Sequence, residues 1–170
     1  QGARIAGWIT SAAPTPDTNW PINSLVNFHL VAASLGSSRG AAVPPLVTDI
    51  DLSMDDRFLY VACWGTGDLR QYEVSDPFAP KLTGTVRIGG IVARATHPKA
   101  ATGTLNGGPQ MVEVSRDGRR VYFTNSLYAS WDAVFYPDGV GAWMARVDAD
   151  VEAGGMSVDP EFFPHGDDFQ

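Results

Sequence analysis

The sequence is poor in cysteine, in positive charge and in long apolar runs, and each shortage removes a class of answer. One cysteine, Cys63, stands in 170 residues, so no internal disulfide is available and packing must hold the fold in whichever redox compartment it occupies. Lys and Arg number 12 against 19 Asp and Glu, for a net charge of -7, and no basic run occurs anywhere. Nucleic acid and anionic membrane surfaces are therefore not expected as partners. The longest apolar stretch, Leu25 to Leu35, is interrupted by Asn27 and His29 and falls short of the roughly 18 residues that span a bilayer. No basic segment followed by an apolar one marks a secretory signal. A soluble protein is expected, periplasmic or cytoplasmic.

What the chain does have is apolar and turn-forming residues. With 44% hydrophobic and 11% aromatic residues it can bury the core of one ordinary domain. The 18 glycines and 12 prolines point to many turns between short strands. Composition changes near Pro44. Residues 1–45 are rich in Ala, Ser, Pro and Gly, with three prolines between Ala12 and Ser24, and read as a linker or large surface loop. From Leu46 short β-type runs take over: Val47 to Leu52, with Asp49 and Asp51 on one face, then Phe58 to Cys63, Leu69 to Val74 and Leu82 to Ile88.

The same order then recurs. Ser53-Met-Asp-Asp-Arg-Phe-Leu-Tyr60-Val aligns without a gap on Ser115-Arg-Asp-Gly-Arg-Arg-Val-Tyr122-Phe, 62 positions later. Asp117-Gly118 is a strong tight-turn signal, because glycine accepts positive φ without a Cβ clash, and Asp55-Asp56 is a poorer version of it. Ala142 to Val147 and Met156 to Phe162 supply a third and fourth strand of the second unit. Repeated four-stranded antiparallel units are the sequence signature of β-propeller blades, whose usual period of about 40 to 50 residues is lengthened here by inserted loops at Ile91 to Gly108 and Ser126 to Gly141. An all-β fold follows, with residues 46–170 forming an incomplete propeller segment of about two blades. Two blades cannot close a ring of roughly four to eight, so more chain is expected. The alternative is a β-sandwich of about eight strands.

Local chemistry is sparse. His29, His97 and His165 are candidate metal ligands by type, but they are widely spaced and lack a second ligand three or four residues away; no metal site is assigned. Cys63, between Ala62 and Trp64 in an apolar strand, reads as a small core residue rather than a nucleophile. Asp49, Asp51, Asp55, Asp56 and Asp68 read as turn and edge acids that cap backbone N–H groups rather than as acid–base pairs. The segment from Ser126 to Gly139 places Trp131, Asp132 and Tyr136 in a loop, where function often sits, and these three are the substrate-binding candidates; packing as a plug against the neighbouring unit is the competing reading. No catalytic residue is assigned. Gly89-Gly90 and Gly107-Gly108 lack the following helix start that a phosphate cradle needs.

The stretches LVTDIDLSMDDRFLYVACWGTGDLRQYEVSDPFAPKLTGTVRIGG (Leu46 to Gly90) and LNGGPQMVEVSRDGRRVYFTNSLYASWDAVFYPDG (Leu105 to Gly139) resemble the C-terminal part of the selenium-binding protein family, whose bacterial members include methanethiol oxidases. The resemblance weakens towards Phe163 and covers about residues 46–163; none is legible in the first 45. It implies a seven-bladed propeller and a copper-dependent oxidase of sulfur metabolism, converting methanethiol, oxygen and water to formaldehyde, hydrogen sulfide and hydrogen peroxide. The copper ligands it implies lie outside the matched segment, so this chain would be scaffold, without copper of its own and inactive alone. The implied partners are a small thiol or selenium species and the remainder of the propeller chain. The runner-up is a non-catalytic propeller module that binds a partner protein or a selenium species.

Overall fold

Two antiparallel four-stranded sheets make up most of the computed structural model, which describes residues 45–91, 94–100, 103–125 and 129–169. The expected linker and His29 lie outside the described residues. The first sheet runs β1 (Val47–Leu52), β2 (Phe58–Cys63), β3 (Asp68–Glu73) and β4 (Lys81–Arg87), and the second β5 (Val112–Val114), β6 (Arg120–Thr124), β7 (Met144–Ala149) and β8 (Met156–Val158). In each sheet the strands lie in chain order. The fold is all-β, and among the described residues there is one short helix, α1 (Ala129–Phe135), and a 3-10 turn at Gly166–Phe169.

The sequence repeat is a structural repeat. In both units the serine hydroxyl donates to the aspartate two residues on, Ser53 to Asp55 and Ser115 to Asp117, each at 2.6 Å. Each hydroxyl also accepts a backbone N–H five residues on, from Phe58 at 2.9 Å and Arg120 at 3.1 Å. The turn requires a left-handed residue, supplied by Gly118 at φ 72° and by Asp56 at φ 59°; aspartate is one of the few side chains that tolerates that region. Tyr60 and Tyr122 both sit on the second strand, paired with Asp51 and Glu113.

β7 runs Met144–Ala149 where Ala142 to Val147 was expected, and two further readings change. The strand from Met156 stops at Val158, not Phe162, because the Asp159 Oδ1 atom accepts the backbone N–H groups of Glu161 (2.7 Å) and Phe162 (3.0 Å) and turns the chain. The segment read as a loop carries α1, whose run Ala-Ser-Trp-Asp-Ala-Val-Phe is too short to show a helical period.

The sheets stack in the same sense. Phe58, Tyr60 and Ala62 on β2 meet Val121 and Phe123 on β6 in one buried cluster. By the 62-residue offset, Val121 and Phe123 correspond to Leu59 and Val61, which lie on the other face of β2 in a separate cluster with Cys63 and Tyr72. The front of the first unit thus packs on the back of the second. Tyr60 is wholly buried; Tyr122 is half-buried, edge-on to Phe162 at 5.4 Å between ring centres.

Polar clasps complete the junction. Asp49 and Asp51 each accept a backbone N–H from the free edge of β5, those of Val112 and Val114, both at 2.8 Å. They are edge-capping acids, as their composition suggests. Buried Gln71 receives the Gly155 N–H at 2.6 Å and donates to the Tyr60 hydroxyl at 3.0 Å, so both of its polar atoms are used where an unpaired amide would be costly.

Candidate functional site

Among the described residues the two longest connections, β4 to β5 and β6 to β7, emerge at the same end of the sheets as the β2–β3 turn. Glycine allows those loops to touch. A Cβ on Gly108 would meet the Trp64 carbonyl oxygen at 2.3 Å, and one on Gly107 would meet that of Asn125 at 2.5 Å. The glycine pairs therefore serve close backbone packing, with Gly90 N–H donating to Gly107 O at 2.7 Å.

Asn125 is the hub of this end. It follows β6, corresponds to Cys63 by the repeat, and is 2% exposed. Its Nδ2 donates to Asn106 O (3.2 Å) and Gly141 O (2.8 Å), its Oδ1 accepts the Trp143 N–H (3.0 Å), and its carbonyl accepts the Trp64 indole N–H (3.3 Å). The Trp143 indole donates to Asn106 O at 2.9 Å, and Arg94 donates to the Asn106 side-chain oxygen at 2.7 Å.

The three substrate-binding candidates divide. Tyr136 is 1% exposed, edge-on to Trp64 at 5.9 Å between ring centres, with the Arg94 guanidinium 4.8 Å from its own. Burial pushes its phenol up to about 12, against the opposing pull of Arg94. Asp132 is also buried, and its carbonyl accepts the Tyr136 N–H at 2.7 Å across the end of α1. Trp131 lies outward, 46% exposed. The helix thus brings Asp132 and Tyr136 into the packed end and leaves Trp131 apart from them. Sequence reading missed Asn125, Asn106, Arg94 and Trp143; the one signal for Asn125 was a polar residue directly after an apolar strand, at the place where the first unit has a core residue.

The remaining candidates are occupied by structural contacts. Cys63 is wholly buried, and burial pushes its thiol up to about 12, so it carries almost no thiolate near neutrality. Beside it Asp68 pairs with Arg70 at 2.6 Å and Arg87 at 3.0 Å. His97 is stacked on Phe163 with ring centres 4.2 Å apart; its Nδ1 accepts the Lys99 N–H at 3.1 Å, which leaves Nε2–H to donate to Asp159 O at 3.0 Å. Burial lowers its pKa, with Lys99 adding to the effect, which matches that neutral tautomer. The His165 side chain is half-exposed, 3.3 Å from the Asp168 carboxylate. Among the described residues no three His, Cys, Asp or Glu side chains cluster as metal ligands. Copper, which the resemblance implies, needs converging nitrogen or sulfur donors; both nitrogens of His97 are engaged and Cys63 is a buried thiol, so the described residues do not fit a copper centre. Chemically, this end of the protein can lock loops together. Among the described residues it places no ionisable base or nucleophile in an open site.

Among the described residues no helix is long and apolar enough to cross a membrane. The family described as 56kDa selenium binding protein matches residues 3–170, a span that takes in residues 3–45, where no resemblance was legible in the sequence. Selenium-binding protein 3 of Arabidopsis thaliana is 43% identical over 138 residues, covering 71% of this chain and 29% of that protein. Methanethiol oxidase of Homo sapiens is 44% identical over 137 residues, with the same shares. A crystal structure of a hypothetical selenium-binding protein from Sulfolobus tokodaii is 58% identical, with a TM-score of 0.68, over 73% of this chain and 27% of that one. The chain spans less than a third of the length of these relatives. It belongs to the selenium-binding protein family.

Proposed function

We propose that this chain is scaffold from a β-propeller methanethiol oxidase, and that the parent protein converts methanethiol, oxygen and water to formaldehyde, hydrogen sulfide and hydrogen peroxide. The observation that carries the scaffold reading is the same-sense stacking of the two repeat units. A front that meets a back leaves the front of the second unit to be met in its turn, so the pattern continues until it closes on itself or is capped. A ring of blades is the closed solution; a two-sheet sandwich has no place for a third unit. Similarity to proteins named methanethiol oxidase supports the chemistry.

On this reading the described residues shape and brace the wall. Copper, held by ligands elsewhere in the parent chain, would supply the redox chemistry. The role of this segment is to fix the loop end through Asn125, Trp64 and Trp143 and to keep Cys63 and Tyr136 protonated and out of the reaction. Trp131, the exposed member of α1, is the side chain best placed to reach a small thiol or selenium species, while Asp132 and Tyr136 hold the helix that presents it. The test is methanethiol-dependent peroxide release by the full-length protein, with copper content measured on the same preparation. Turnover that requires copper supports the reading. A copper-free or inactive full-length protein that still binds a selenium species would favour the non-catalytic alternative.

A further inference from the structure

In the turn 96–100, Thr96, Pro98 and Lys99 are exposed while His97 is buried, so the turn is held to the protein chiefly through one imidazole. Its contacts belong to a single protonation state. Nδ1 accepts the Lys99 N–H at 3.1 Å and Nε2 faces Asp159 O at 3.0 Å; an imidazolium has two donors and no acceptor, so only the neutral ring makes both. The ring joins two distant pieces of chain. On one side the turn is rooted where Ala95 and Gly89 exchange backbone hydrogen bonds at 3.0 and 3.1 Å. On the other is the turn after β8, where Phe163 stacks on the imidazole and belongs to the buried cluster shared by the two sheets. The Lys99–Glu161 ion pair also links the two sides, at 2.7 Å, but both side chains are exposed and water weakens it.

We propose that His97 is a proton-operated latch: a proton taken from water onto Nδ1 displaces the Lys99 N–H, frees the turn 96–100 and uncovers Phe163 at the edge of the core. The inference stands on this geometry and not on the oxidase reading. The surrounding charges offer a proton no compensation. Lys99 repels it, the Asp159 carboxylate is engaged by Arg146 and by the Glu161 and Phe162 N–H groups, and Glu161 is engaged by Lys99. His165, on Phe163 with ring centres 5.5 Å apart, faces Asp168. Burial, with Lys99 adding to it, holds the His97 pKa below its ordinary value. A group whose value is lowered in the closed state binds more protons when open. The latch is therefore closed above the ordinary histidine value of about 6.5 and is released as pH falls below it. Glu161, its carboxyl held low by Lys99, stays charged across this range.

Amide hydrogen exchange on the full-length protein at about pH 7.5 and about pH 5.5, either side of the ordinary histidine value and corrected for the intrinsic pH dependence of exchange, tests the latch. The Lys99 and Ala100 amides, bonded to His97 Nδ1 and to its carbonyl, should lose about tenfold in protection at the lower pH while the strand amides of β2 and β6 keep theirs. His97→Gln, which has no proton to gain in this range, should show no such fall. His97→Ala should be as open at the higher pH as the wild type is at the lower; if it does not fold, His97→Gln carries the comparison alone. Protection at Lys99 that is equal at both pH values overturns the inference. So does a fall of the same size in His97→Gln, which would assign the effect to His165 or another group, and so does a loss shared by β2 and β6, which would be general loosening and not a latch.

Discussion

Replacing Asp51 by alanine should loosen the junction between the two sheets without disturbing either one. The side chain holds two amides, its own Leu52 N–H through Oδ1 and the Val114 N–H through Oδ2, both at 2.8 Å. A hydrogen bond to a charged group contributes about 1.5–3 kcal/mol, and Val114 has no other acceptor on the free edge of β5. A loss of about 2 kcal/mol is expected, which for a domain of roughly 150–250 residues lowers Tm by about 4–8 °C. Asp51→Asn keeps a carbonyl acceptor and should cost about 1 kcal/mol or less, the difference between charged and neutral hydrogen bonds. Hydrogen exchange localises the effect: at about 1.4 kcal/mol per factor of ten, the Val114 amide should exchange about thirtyfold faster while the amides of β2 and β3 change little. An alanine variant with wild-type Tm and unchanged exchange at Val114 would refute the idea that edge carboxylates hold the units together.

Three further outcomes follow from the same contacts. Cys63, with its thiol pushed up to about 12, should resist iodoacetamide at pH 8 until the protein unfolds; alkylation of the native chain at the rate of a free thiol would contradict its placement. The Asp55 carboxyl is held below its usual value chiefly by the Ser53 hydroxyl, and that of Asp117 by Ser115. Lowered carboxyl values mean stability that is present above the unfolded value near pH 4 and lost as pH falls through the folded ones, so Tm should drop below about pH 4 and Ser53→Ala should flatten the drop. Among the described residues the buried Tyr136 hydroxyl has no hydrogen-bond partner of good geometry, so thermal melts of Tyr136→Phe should match wild type, whereas Tyr136→Ala should cost about 3–5 kcal/mol by emptying an aromatic site; equal losses would show that the hydroxyl matters.

Much of the fold was legible because it is local. Strand positions followed from β-branched and aromatic runs, and the repeat from Ser53, Tyr60 and their counterparts, since the turn depends on side chains within five residues of one another. The role of Asp49 and Asp51 was legible in kind, as edge-capping acids, but not in partner, because Val112 and Val114 lie 63 residues away and only the stacking brings them there. The loop end resisted reading for the same reason. Asn125 draws on Asn106, Gly141 and Trp143 from three separate segments, and nothing in its own neighbourhood announces that convergence. Trp131, Asp132 and Tyr136 are neighbours in sequence, yet a helical turn sends one outward and two inward, a distinction that a loop reading has no means to draw.

On the proposed reading this chain braces an oxidase without performing the oxidation. Copper loading and desalting of the 170-residue chain, followed by a peroxide assay on added methanethiol, tests it most directly. Less than stoichiometric retained copper and no thiol-dependent peroxide are expected, because His97 is engaged at both nitrogens and Cys63 is sealed in the core. One retained copper per chain with methanethiol-dependent turnover would contradict it, and would place the catalytic centre among residues described here as scaffold.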